Sequence, residues 1–309
     1  MSIEGVGATA LLTAYARAEE TVRADRRFDD PIARVFVESV TGSAGAALLP
    51  LGMARTDGPS ELWVSFREYF AGRTPFYDRQ LLDAVDRGVR QVVLLAAGLD
   101  ARAFRLALPH DTTVFEVDSD PVLRFKQENL DRIGATPSCR RVIVPADLRE
   151  DWSSALIDAG LRTDQPILWV AEGLLMYLDR IESDRLLSVI TAQTRGEGSI
   201  ATEYPARFPD AAIFAALTTL ETDRAAAAAM ASLVRSGPAE PPAEWLCRYG
   251  WSCSSTDVAS EIAASRRKVP AVFTDWTRGV PVWLLSGGRR PSTSLRQVSV
   301  AERPRGRRA

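Results

Sequence analysis

The sequence predicts an α/β fold, a parallel-dominated sheet with helices on both faces. Three observations carry this. From residue 91 onward, short apolar runs alternate with longer helical patterns, the signature of βαβ units. Val92-Val93-Leu94-Leu95 is apolar without a break, as a strand buried on both faces must be. That run stops at Ala96-Ala97-Gly98, where only small side chains occur. A strand ending in such a turn leaves room for a ligand against backbone N–H groups.

Strands are expected at 91–96, 112–117, 141–145, 166–171, 198–203 and 281–286, with another near 251–255. Helices are expected at about 119–133, 150–159, 181–194 and 256–267. Residues 1–90 read as an N-terminal helical extension, and 91–286 as the core. Thr9 to Glu20 is rich in good helix formers, and Asp29-Asp30-Pro31 marks a helix start. Trp63, Phe66 and Phe70 fall on one helical face. That face suits either core packing or the wall of a substrate pocket. Residues 205–250 interrupt the alternation with an alanine-rich helical stretch, Pro209 to Val234, followed by Gly237-Pro238 and Pro241-Pro242. A helical cap and a solvated hairpin both fit. Arginines dominate 287–309, which reads as a basic disordered tail.

Composition narrows the function. With 46% hydrophobic and 25% charged residues, the 309-residue chain is ordinary for a soluble globule. A net charge of −2 gives no broad pull toward nucleic acid. Cys139, Cys247 and Cys253 form no CxxC pair, which argues against a zinc site or a disulfide framework and fits a reducing cytoplasm. No apolar run reaches membrane-spanning length, and no secretory signal pattern opens the chain. The expected partner is a small molecule, with no nucleic acid and no membrane. Oligomeric state stays open.

The carboxyl ends of successive strands carry Gly98, Asp118, Asp147 and Glu172. Ligands of such sheets bind at that rim. Asp118 follows Gly98 by 20 residues, the usual distance for an acid that bonds ribose hydroxyls. The pair points to a nucleoside cofactor.

Six stretches extend the pattern: Arg26-Arg27-Phe28-Asp29-Asp30-Pro31, Arg73-Thr74-Pro75-Phe76-Tyr77-Asp78, Ala97-Gly98-Leu99-Asp100-Ala101-Arg102, Phe115-Glu116-Val117-Asp118, Ala146-Asp147-Leu148-Arg149 and Glu172-Gly173-Leu174-Leu175-Met176-Tyr177. In order and spacing they resemble the leucine carboxyl methyltransferase family in its broad sense. That family includes bacterial enzymes similar to the tetracenomycin polyketide carboxyl methyltransferase. The resemblance implies a class I, Rossmann-like methyltransferase sheet and S-adenosylmethionine as cofactor. It implies that Arg73 pairs with the carboxylate of the cofactor's methionine part, Gly98 admits that part, and Glu172 receives its ammonium. Asp118 would take the ribose, and Asp147 and Leu148 the adenine. Arg149 and Tyr177 match positions near the acceptor carboxylate. A surface ion pair for Arg149 and a core position for Tyr177 fit equally well. Two departures stand out: the family's usual Gly-Ala-Gly-Leu-Asp-Thr-Arg reads Ala96-Ala97-Gly98-Leu99-Asp100-Ala101-Arg102 here.

His110 is the only histidine, in a loop before the second strand and away from the rim. A phenol or alcohol acceptor needs a base to lose its proton near neutral pH, whereas a carboxylic acid is already ionised. The expectation is methyl transfer to the carboxylate of a small natural-product acceptor. Rival readings are a nicotinamide dehydrogenase, which should show a fuller glycine turn, and a cofactor-binding protein with another role on the same fold. A methyltransferase acting on a hydroxyl or on a protein C-terminus completes the set.

Overall fold

The computed structural model describes residues 6–40, 60–207, 212–213, 217–218 and 221–290. Seven strands form one sheet in the order β3-β2-β1-β4-β5-β7-β6. They are β1 (Gln91–Leu95), β2 (Thr113–Asp118), β3 (Arg140–Pro145), β4 (Ile167–Ala171), β5 (Gly198–Pro205), β6 (Ser254–Asp257) and β7 (Val282–Arg289). The first five run parallel, so their carboxyl ends share one edge. β7 enters antiparallel between β5 and β6. The order reverses between β1 and β4, and a crevice opens at such a switch point.

β1 is buried along its whole length, as its unbroken apolar run requires. Its side chains alternate between two cores. Val93 and Leu95 pack with Trp169, Leu187 and Trp245, whereas Val92 and Leu94 pack with Tyr77, Leu81 and Leu168.

Two expectations about the second half are corrected. β7 continues to Arg289, because Gly287 and Gly288 pair with Ile200 and Ser199. A Cβ at Gly287 would lie 2.5 Å from the Ser252 carbonyl oxygen, so Gly287 marks close backbone approach rather than a loop. The rest of the expected tail, 291–309, lies outside the described residues. Within 205–250, part of the alanine-rich stretch also lies outside them, and helix Glu221–Leu233 follows. Helix Pro242–Arg248 belongs to the sheet's core, not to a cap, because it buries Trp245 and Leu246 against that core. Pro242 sits in its first turn, where the missing N–H costs nothing.

Among the described residues, three helices, Val6–Thr21, Pro31–Val40 and Glu61–Asp86, precede the sheet. The third runs straight through Pro75. Proline leaves the carbonyl four residues earlier without its helical donor. That carbonyl, on Ala71, accepts from Arg27 Nη1 at 3.1 Å. Trp63 and Phe70 are buried in the core this helix shares with Val258 and Phe273, while Phe66 and Phe70 also reach the crevice. The aromatic face therefore serves both purposes.

Candidate functional site: a crevice at the switch point

A cavity of about 380 Å³ occupies the crevice. Arg73, Gly98, Asp118, Asp147, Leu148, Arg149, Glu172 and Tyr177 all line it, and Thr9, Thr13 and Arg17 of the first helix also face it. Residues that the sequence spreads over a hundred positions thus meet in one space, because parallel strands deliver their carboxyl ends to one edge. His110 sits in the exposed turn before β2, at the opposite edge.

Arg73 is the most heavily engaged group. Its Nε lies 3.1 Å from Glu172 Oε1, and its Nη1 lies 2.5 Å from Glu203 Oε1. The guanidinium also stacks over the rings of Tyr69 and Phe70. Glu203, only 3% exposed near the end of β5, was not anticipated. Its Oε1 further accepts from Tyr69 Oη at 2.7 Å and Gly173 N at 3.0 Å. Burial raises its carboxyl, and Arg73 offsets only part of that shift. Its signal was present, since an acid closes the fifth expected strand as Asp118 closes the second.

Glu172 also meets Arg102 Nη1 at 2.7 Å. Arg102 in turn holds Asp78 at 2.7 Å and pairs with Asp100. Arg105 joins Asp78, and Arg17 joins Asp30, both within 2.8 Å. The acids and bases of the motifs are thus links in a buried ionic chain, of which Arg17, Arg73, Asp100 and Glu172 line the cavity.

Asp118 ends β2 with Oδ2 accepting from Gly98 N and Oδ1 from Ser119 N, both at 2.7 Å. Burial raises its carboxyl, and those two N–H groups oppose the shift. Gly98 has φ of 49°, and Ala96 has φ of 51°. The left-handed region costs a side-chain-bearing residue about 1–2 kcal/mol, which explains the family's glycine at the Ala96 position. Ala101 caps the short helix Arg102–Arg105 without a side-chain hydrogen bond, where the family's threonine would supply one.

Asp147 and Leu148 sit in the turn after β3. Arg149, for which the sequence left an acceptor anchor and a surface ion pair equally open, lines the cavity and forms the ion pair. Its side chain is 71% exposed, and its fork is spent on Asp147, with Nη2 2.5 Å from Oδ2. Two residues of separation in one turn bring the charges together. Tyr177 ends a 3₁₀ turn, is hydrogen-bonded to Thr9, and has its hydroxyl pushed up by burial.

A second, apolar cavity of about 80 Å³ adjoins the first. Thr9, Phe66, Tyr69, Met176, Tyr177 and Met230 wall both.

Strand order and rim together are those of a Rossmann-like α/β sheet with a ligand crevice at its switch point. The family model described as leucine carboxyl methyltransferase matches residues 10–191, and the chain belongs to that family. It is 40% identical over 278 residues to a candidate S-adenosyl-L-methionine-dependent methyltransferase of Frankia alni, covering 88% of this chain and 92% of that one. A candidate methyltransferase of the same description from Mycobacterium tuberculosis is 39% identical over 292 residues, covering 89% of each. Among solved structures, a candidate methyltransferase of Thermobifida fusca shares the fold. Its TM-score is 0.52 at 15% identity, covering 90% of this chain and 94% of that one.

The crevice fits the cofactor. Its volume is in the range of small-molecule sites, and Gly98 lets backbone approach without a Cβ. Arg73 and Glu172 set opposite charges side by side, complementary to an amino-acid zwitterion.

Proposed function

We propose that this enzyme methylates the carboxylate of a small-molecule acceptor, giving an ester. The observation that carries the reading is the wall shared by the two cavities. It holds Thr9, Phe66, Tyr69, Met176, Tyr177 and Met230, and none of these side chains takes up a proton near neutral pH. Burial pushes the hydroxyls of Tyr69 and Tyr177 further from ionisation. A hydroxyl acceptor would need a base there, whereas a carboxylate arrives ionised.

The cofactor supplies an activated methyl group on a sulfonium. The chain's own task is to position the acceptor in line and exclude water. In this reading Arg73 and Glu172 take the carboxylate and ammonium of the methionine part, and Asp118 turns an oxygen to the ribose diol. Asp147 and Leu148 border the adenine, and Arg149 fixes Asp147. Tyr177 donates its hydroxyl to the acceptor carboxylate at the shared wall. The three free thiols support a cytoplasmic location.

The pH–rate profile tests the base argument. Turnover should be flat from about pH 6 upward for a carboxylate. A rate climbing toward about pH 10 would mean an unassisted phenol instead.

A further inference from the structure

The apolar cavity sets the chemistry of the acceptor's body, an inference that rests on the methyl-transfer reading above. Beyond the shared wall it is lined by Leu62, Ile213, Val272, Phe273, Val280 and Val282, among others. Among the described residues, no Asp, Glu, Lys, Arg or His lines it. Its polar groups are hydroxyls. Tyr69 gives its hydroxyl to Glu203, Tyr177 shares one with Thr9, and the buried Ser65 hydroxyl has no partner among the described residues. A charged group entering would lose its hydration and gain no counter-ion, which is strongly unfavourable. An aliphatic group entering would shed water from its own surface against apolar walls.

We propose that this cavity seats a short, uncharged aliphatic end of the methyl acceptor, leaving the reactive group at the shared wall. Size supports this as well as polarity. A dry cavity of ~150 Å³ accepts a benzene ring. At about 80 Å³, this one suits a short or branched aliphatic group. Met176 and Met230 line both cavities, and flexible thioethers can adjust to a chain that reaches from one into the other.

Calorimetry on the full chain saturated with S-adenosylhomocysteine tests the assignment. The probes are unbranched carboxylic acids from acetate to octanoate, the matching primary alcohols, and succinate. Affinity should rise about fourfold per methylene, the equivalent of about 0.8 kcal/mol per buried CH₂, and stop rising once the cavity is full. Succinate should gain nothing over acetate. Val272→Phe, which touches only the apolar cavity, should end the rise at a shorter chain and leave S-adenosylhomocysteine binding unchanged. A series flat in chain length overturns the proposal, and so does an unchanged end point in folded Val272→Phe. If that variant does not fold, the wild-type series decides alone. The alcohols separate this proposal from the carboxylate reading. A rise in both series with no ester formed keeps the cavity's role and removes the carboxylate, whereas esters formed without any chain-length rise do the reverse.

Discussion

Glu203 Oε1 holds Arg73 Nη1 at 2.5 Å while accepting two further hydrogen bonds, from Tyr69 and Gly173. One buried oxygen therefore fixes a guanidinium, a phenol and the backbone of the turn after β4. Breaking a buried ion pair by removing one partner costs about 3–5 kcal/mol, because the other charge stays behind uncompensated. Glu203→Ala should lower unfolding free energy by that order in a denaturant titration. Glu203→Gln, which keeps an acceptor for Tyr69 and Gly173, should lose less. A loss under about 1 kcal/mol for Glu203→Ala would mean that Glu172 alone suffices for Arg73.

Asp118 and Arg149 should behave oppositely. In the proposed reading, Asp118→Ala removes an acceptor from the ribose, and it also frees the Gly98 N–H, a loss of about 1–3 kcal/mol. S-adenosylhomocysteine affinity should fall roughly 10- to 100-fold. Arg149→Ala breaks an exposed pair worth about 0–1 kcal/mol and should barely change the acceptor's KM. A large rise in KM with unchanged cofactor affinity would restore Arg149 as the acceptor's anchor.

The two departures from the family turn are separable by stability measurements. Ala96→Gly relieves about 1–2 kcal/mol of left-handed strain and gives back about 0.4–1 kcal/mol of chain entropy. The net should be neutral to stabilising by about 1.5 kcal/mol. Ala101→Thr should add about 1 kcal/mol by capping the short helix. A clear destabilisation by either would show that this chain has repacked around its alanine.

How far the sequence was legible depended on whether a signal was local. The rim was legible because strand ends and small or acidic residues coincide at Gly98, Asp118, Asp147 and Glu172. The direction of β7 was not, since alternation of side chains is the same for parallel and antiparallel strands. The helix through Pro75 was hidden for a different reason. Its support, the Arg27 hydrogen bond to Ala71, comes from 44 residues away. For Arg149 the resemblance offered an acceptor anchor and the sequence a surface ion pair, and only the geometry of the turn shows its fork held by Asp147.

Asp100 makes part of the stability depend on acid. Burial raises its carboxyl, but Arg102, Lys126 and Arg105 outweigh that and hold it at about 2 against an ordinary 3.8. The unfolded chain binds this proton first as pH falls. The contribution is therefore complete above about pH 4 and is lost as pH drops toward 2, a change of about 2 kcal/mol. Asp100→Asn should flatten that part of the acid limb in unfolding measured between pH 5 and pH 2. An identical slope in both proteins would remove Asp100 from the account.

The central claim is ester formation, and the fate of the transferred methyl tests it most directly. The protein is incubated with methyl-labelled S-adenosylmethionine and a cell extract, and the labelled product is treated with mild alkali. The account predicts that the label is released as methanol, as from a carboxylic ester. Label that survives the alkali would identify an ether or an amine and contradict the carboxylate reading.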